Sequence, residues 1–283
     1  MRTRTAYLKI NNTTFGKDDH TYIDFDVFYQ GNTLVPLDSK FIIDNLSSKN
    51  LYEITDNAAL FMTEMKKIEF WCGYDTNIRR LFDGQILKAQ PAGQPDTSLM
   101  ISAWSSLYTM GTKIEVKEKH IRFLDLLERA IKECGLNIDI TDRMRKDSRL
   151  QEIVEEYSFT GSQYEFLTGV IRDITGNVIT EDALCIVIQN DIVSVFRASN
   201  EIKEKPTIEI SARNGMIGIP EPNNVGIEIK TLLDVSLQCG MSIELKSTVI
   251  PRYNGVYNIT GINHHGNARE TEFYTDLQCV RCK

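Results

Sequence analysis

The chain has 283 residues, 42% of them hydrophobic and 25% charged, with a formal net charge of −7. This is the profile of a folded globular chain rather than a disordered one, long enough for one large domain or two to three small ones with real cores. The acidic balance excludes a protein that grips nucleic acid through its phosphates, and no apolar run is long enough to span a bilayer.

The N-terminal MRTRTAYLKINN has a basic start with no apolar stretch behind it, so no secretory signal is expected. Ala6, Leu8 and Ile10 alternate instead with Tyr7 and Lys9, as in a strand. Residues 22–29 (YIDFDVFY) alternate until Gln30, Gly31 and Asn32 supply a turn. Asp24, Asp26 and Tyr22 share the solvated face, while Ile23, Phe25 and Val27 fill the other. Further short strands are expected at 41–43, 54–55, 67–71, 82–87 and 98–104, between Asp/Asn/Ser/Gly clusters and the loop Pro91–Pro95. Short strands at this spacing predict a small barrel or sandwich over residues 1–112.

The pattern changes over 113–206, which reads as an α+β insert. Phe123, Leu124, Leu127, Ala130, Ile131 and Cys134 recur at helical spacing, and Gly135 follows as a C-terminal cap. Ser162 with Glu165 forms a capping box that opens a second helix through Phe166, Leu167, Val170, Ile171 and Ile174 to Gly176. Residues 184–189 and 192–196 then flank Asn190-Asp191 as a hairpin. From 207 to 283 the chain returns to short strands and turns. There the stretch 214–240, NGMIGIPEPNNVGIEIKTLLDVSLQCG, begins as Gly/Pro-rich loop chemistry and continues as an alternating β-branched run.

Residues 65–102 and 241–278 echo each other. Ile68-Glu69-Phe70 answers to Ile243-Glu244-Leu245, and Asp83-Gly84-Gln85-Ile86 to Asn254-Gly255-Val256-Tyr257. Each segment continues through a glycine turn (Gly93, Gly266) to a strand after Thr97 or Thr271. Two explanations stand at this point: the habitual self-similarity of antiparallel β proteins, or one barrel type used twice with the insert between the copies.

No constellation of reactive groups emerges. The histidines are His20, His120, His264 and His265, and the six cysteines, expected to be reduced thiols in cytosol, end in a CxxC at Cys279 and Cys282. A zinc site would pair His264 or His265 with those cysteines. Adjacent strand residues point to opposite faces, so only one histidine could join, and the plain strand-and-turn reading is favoured. Asp18-Asp19 lacks calcium-loop spacing. The glycines of GMIGIP at 215–220 match neither the dinucleotide nor the phosphate-loop pattern. No catalytic residue, cofactor or metal ligand is therefore assigned.

The run Asn214–Pro220, then Gly226–Leu233, Gly240–Leu245, Tyr253–Tyr257 and Ile262–Gly266, resembles the tail hub proteins of bacteriophages, the central baseplate proteins related to the late control protein D family. Trp71-Cys-Gly-Tyr74 leading into Leu81-Phe-Asp-Gly-Gln-Ile86 is similar too, so the resemblance covers most of the chain. It implies a mainly β chain with two tail-tube-like β-barrels flanking the small α+β region. It further implies a homotrimeric ring in the virion baseplate, assembled in the host cytoplasm, that adapts the hexameric tail tube protein to the central spike protein beside other baseplate proteins. DNA would pass through an acidic lumen without being bound. Gly84, Gly215, Gly218, Pro220, Leu232, Leu233 and Gly255 become structural positions, with the Leu232-Leu233 pair buried where the chain turns and the Gly/Pro loop returning the chain from the insert to the second barrel. The alternatives are a tail-tip cell-envelope hydrolase, against which stands the lack of a paired-carboxylate or Cys/His motif, and a receptor- or glycan-binding β module. The latter would show clustered exposed aromatics, whereas Phe25, Phe28, Tyr29 and Trp71 fit cores or interfaces.

Overall fold

Period-two alternation builds most of this molecule. The computed structural model describes residues 3–17, 21–32, 38–55, 66–93, 98–105, 112–176, 180–200 and 207–283. Asp18, Asp19, His20, Met65, Pro95 and Thr97 lie outside these described residues. The first part holds β1 (Arg4–Ile10), β2 (Thr13–Phe15), β3 (Tyr22–Gln30), β4 (Asp38–Asp44), α1 (Ser48–Thr55), β5 (Lys67–Tyr74), β6 (Asn77–Ala92) and β7 (Ser98–Ser105). The last part holds β13 (Ile208–Ser211), β14 (Met216–Pro222), β15 (Ile227–Leu232), β16 (Ser242–Lys246), β17 (Gly255–Asn267) and β18 (Phe273–Arg281). The chain is mainly β, as its pattern predicts.

These strands form one 13-stranded sheet, ordered β14-β15-β18-β17-β3-β4-β7-β6-β5-β1-β2, with β16 also on β17 and β13 on β16. The first and last parts of the chain thus fuse edge to edge where β3 meets β17. Their inward side chains make a single core. Phe25 stands 4.6 Å from Phe70 and 5.7 Å from Phe273, ring centre to ring centre, and Phe41 bridges Phe70 to Phe82. Ala6, Leu8 and Ile10 on β1, and Ile23, Phe25, Val27 and Tyr29 on β3, are buried in it as alternation requires.

The order carries a repeat. In chain sequence, β1-β3-β4-β5-β6-β7 lie side by side as β3-β4-β7-β6-β5-β1. The strands β13 to β18 lie as β14-β15-β18-β17-β16-β13. Each set is a hairpin followed by a three-stranded meander whose last strand folds back on the hairpin. The echo between 65–102 and 241–278 falls on the two meanders, β5-β6-β7 and β16-β17-β18. Two details differ. β1 runs antiparallel to β5 but β13 runs parallel to β16, and Gly84 faces Ile68 whereas Gly255 faces Leu245. The order is shared; the register at that glycine is not.

Between them lie β8 (Lys113–Arg122), α2 (Phe123–Glu133), β9 (Asn137–Ile140), α3 (Asp142–Arg145), β10 (Ile153–Ser162), α4 (Gln163–Thr175), β11 (Leu184–Gln189) and β12 (Ile192–Arg197). Here α2 and α4 bury Leu124, Leu127, Ile131, Phe166, Leu167 and Val170 in a second core. The predicted capping box is present: Ser162 Oγ accepts from Glu165 N at 3.2 Å, and Glu165 Oε2 accepts from Ser162 N at 2.8 Å. Gly135 and Gly176 end the helices with φ of 67° and 66°. Ile54-Thr55, expected as strand, instead closes α1, where Ile54 is its one buried side chain. Two apolar-polar residues do not distinguish the periods.

Candidate assembly interface

The β3–β17 junction is built on both faces of the sheet. β17 divides its edge: Gly255–Asn258 pairs with β16, and Gly261–Asn267 takes β3 in antiparallel register. On the outer face Asn267 Nδ2 donates to Asp24 Oδ1 at 2.9 Å, and Gln30 Nε2 to Gln278 Oε1 at 3.3 Å. On the inner face His264 is fully buried, with Nδ1 2.9 Å from Thr275 Oγ1 and Nε2 without a hydrogen-bond partner. Burial, with a smaller push from His265, lowers its pKa to about 3, so it is neutral. His265 lies on the opposite face, Nε2 at 2.9 Å from Asp276 Oδ2. Adjacent strand positions separate the two imidazoles, and among the described residues no cluster of His, Cys, Asp or Glu is arranged to hold a metal.

A second contact holds the β11–β12 hairpin on the sheet. Leu184, Ile186, Val193 and Val195 point into the helical core, while Cys185, Val187 and Phe196 point into the main core. Three asparagines secure this doubly buried ribbon. The backbone N and side-chain Nδ2 of Asn32 donate to Ile186 O and Leu184 O, and its Oδ1 accepts from Ile186 N. Asn190, at the hairpin turn with φ 52°, accepts from Asp83 N and Tyr29 Oη. Asn258 Nδ2 faces the carbonyls of Arg197, Ala198 and Asn200 at 3.2, 3.0 and 2.6 Å. Local periodicity does not mark these contacts, because the N–H, hydroxyl and carbonyl partners lie 58 to 161 residues away.

The positions singled out from the sequence fall into three groups. Gly84 is buried between β5 and β7, and a Cβ there would stand 1.9 Å from Trp104 O. Gly255 opens β17 with φ 152°, against the Arg281 guanidinium. Gly215, Gly218 and Pro220 belong to β14, or in the case of Gly215 immediately precede it; this stretch, expected as a loop, is the edge strand of the sheet. Its ladder with β15 breaks between Ile217 and Glu221, where Gly218 takes φ 69°, so the Gly/Pro composition encodes a bulged strand. The expectation for the leucine pair is corrected as well. Leu233 is buried at 4%, but Leu232 is 41% exposed, because consecutive strand residues face opposite ways. Leu232 joins Ile219, 48% exposed, and the half-buried Ile217 as apolar side chains along this edge.

The family model for baseplate hub gp41 matches residues 26–279. No curated protein matches the sequence. Among solved structures, the chain is similar to the 43 kDa tail protein of prophage MuSo2 from Shewanella oneidensis, with a TM-score of 0.60 and 8% identity over 99% of this chain and 97% of that one. It is similar to the E. coli c3393 protein, a component of the type VI secretion system with structural similarity to T4 bacteriophage tail proteins gp27 and gp5; the TM-score is 0.61 at 11% identity, covering 98% and 77%. The tail protein from Neisseria meningitidis MC58 gives 0.58 at 10% identity over 99% and 96%. At these identities the likeness is one of fold.

Proposed function

The chain belongs to the baseplate hub gp41 family, and from that premise we propose that it is the structural hub of a phage tail baseplate, acting as a homotrimeric ring. In this reading residues 1–112 and 207–283 are two tube-like β domains, joined in one sheet rather than closed as the two separate barrels expected, and 113–206 is the insert that braces the ring from outside. Three chains supply six similar β units toward a hexameric tail tube and three toward a central spike, with DNA passing through the lumen of the virion tail. The observation that carries the reading is the six-strand order used twice within one continuous sheet. A repeat inside each protomer is the simplest way for a threefold assembly to present six equivalent surfaces. The acidic balance of the chain suits a lumen that DNA crosses without adhering.

The role is structural, not enzymatic. Desolvation lowers the pKa of the buried His264 and raises those of the buried Cys239 and Cys279 thiols, away from reactive states. Light scattering on the purified protein tests the assembly: a trimer has a mass of about 97 kDa, three times 32.3 kDa. A stable single chain, or six chains, would overturn the ring reading, since six chains need no internal repeat. Zymography on murein tests the other half, and a lytic band from the isolated protein would refute the structural role.

A further inference from the structure

The repeat in strand order makes the junction inside the chain a template for the junction between chains. In this order β14 is the counterpart of β3, and β6 the counterpart of β17. One row across the sheet runs Phe25, Phe41, Ile101, Ala89; its counterpart runs Met216, Thr231, Thr275, His264. The rows correspond because each lies one inward-facing pair short of its hairpin end, Pro91 opposite Leu99 in one and Gly266 opposite Phe273 in the other.

The counterparts differ in one respect. The free edge of β17 over Gly261–Asn267 is filled by β3. The matching stretch of β6, residues 87–92, pairs with β7 on one side, while β5 stops opposite Gln85 on the other, and no described strand continues along that edge. β14, the counterpart of β3, likewise has one paired edge and one along which no described strand runs.

We propose that β14 of one copy pairs antiparallel with residues 87–92 of β6 in the next copy, repeating between chains the β3–β17 seam; this rests on the ring reading above. Carrying the register across up to the bulge that follows Ile217, Phe25 opposite Gly266 becomes Met216 opposite Pro91 of the neighbour, and Asp26 opposite His265 becomes Ile217 opposite Gln90. The pairing brings a partner strand against the half-buried Ile217. The contact joins two different edges, so it is heterologous and propagates around a closed ring.

The test is a disulfide between copies. In full-length chain carrying Cys282→Ser, Ile217→Cys is combined with Gln90→Cys and oxidised under native conditions. Bands of two and three linked chains are expected on a non-reducing gel, absent from either single variant and from the control pair Ile217→Cys with Thr14→Cys on β2. An assembly of several chains without cross-linking would overturn the seam and leave the ring standing; a single-chain species would overturn both. Amide exchange on the unmodified chain gives an independent measure. Exchange at 87–92 and 216–222 is expected to slow on assembly, and unchanged rates at both stretches refute the pairing.

Discussion

Mild acid should weaken this fold through one buried imidazole. His264 has no exposed surface, and its pKa falls from 6.5 to about 3 in the native state. The unfolded chain therefore binds a proton below pH 6.5 that the native chain refuses until about pH 3. Because the native pKa is the lower one, stability is complete above pH 6.5 and is lost as the pH falls. At 1.36 kcal/mol per unit, the loss between pH 8 and pH 5 is about 2 kcal/mol. The carboxylates held low in the native state, Glu69 by Lys67 and Glu165 by the backbone and hydroxyl of Ser162, add their own loss only below about pH 4.5. The window from pH 8 to 5 thus isolates histidine. Urea unfolding of the wild type and of His264→Gln, at equal protein concentration, should show a drop larger by about 2 kcal/mol in the wild type. The glutamine variant starts less stable but flatter, since the other three histidines are common to both proteins. Equal drops would refute the reasoning.

Gly84→Ala drives a methyl into the Trp104 carbonyl and should cost about 3 kcal/mol or prevent folding, whereas Gly218→Ala, with nothing within 4 Å, pays only for its positive φ, about 1 kcal/mol; thermal melts of the two variants would rank them. Asn258→Ala leaves the carbonyls of Arg197, Ala198 and Asn200 without that donor and should cost about 1–3 kcal/mol, with limited proteolysis opening first after Phe196. Burial pushes the Cys134 thiol up to about 11 and that of Cys185 to about 12, and five of the six cysteines are buried. At pH 8 a thiol reagent should find Cys282 quickly and all six only after denaturation; a stoichiometric zinc released by blocking Cys279 and Cys282 would reverse this account.

The parts legible in the sequence are those fixed by neighbours a few residues apart. Ser162 and Glu165 cap α4 because three residues separate them, and Asn190-Asp191 turns a hairpin because two do. Alternation marks β1 and β3 for the same reason. The resemblance implies that Leu232 and Leu233 are buried together, but consecutive residues of an extended chain face opposite ways, so only Leu233 enters the core. β14 reads as a loop because a bulged edge strand tolerates the glycine and proline that a central strand excludes. Asn32 and Asn190 read as turn residues, but the β3–β17 seam and the contacts that the three asparagines make leave no local trace, since each depends on which distant strand arrives beside it.

That dependence sets the order of events during synthesis. Gln30 and Gln278, hydrogen-bonded across the seam, are 248 residues apart. As the chain leaves the ribosome, β3 can pair with β4 but must wait for nearly the whole remaining sequence before β17 closes its other edge. Pairings of such long sequence separation are slow to form, and an apolar strand left open meanwhile invites pairing with a neighbouring nascent chain. A chain cut short after residue 234 keeps that opening permanently, so truncated products should precipitate while the full-length chain, delayed but complete, stays in solution.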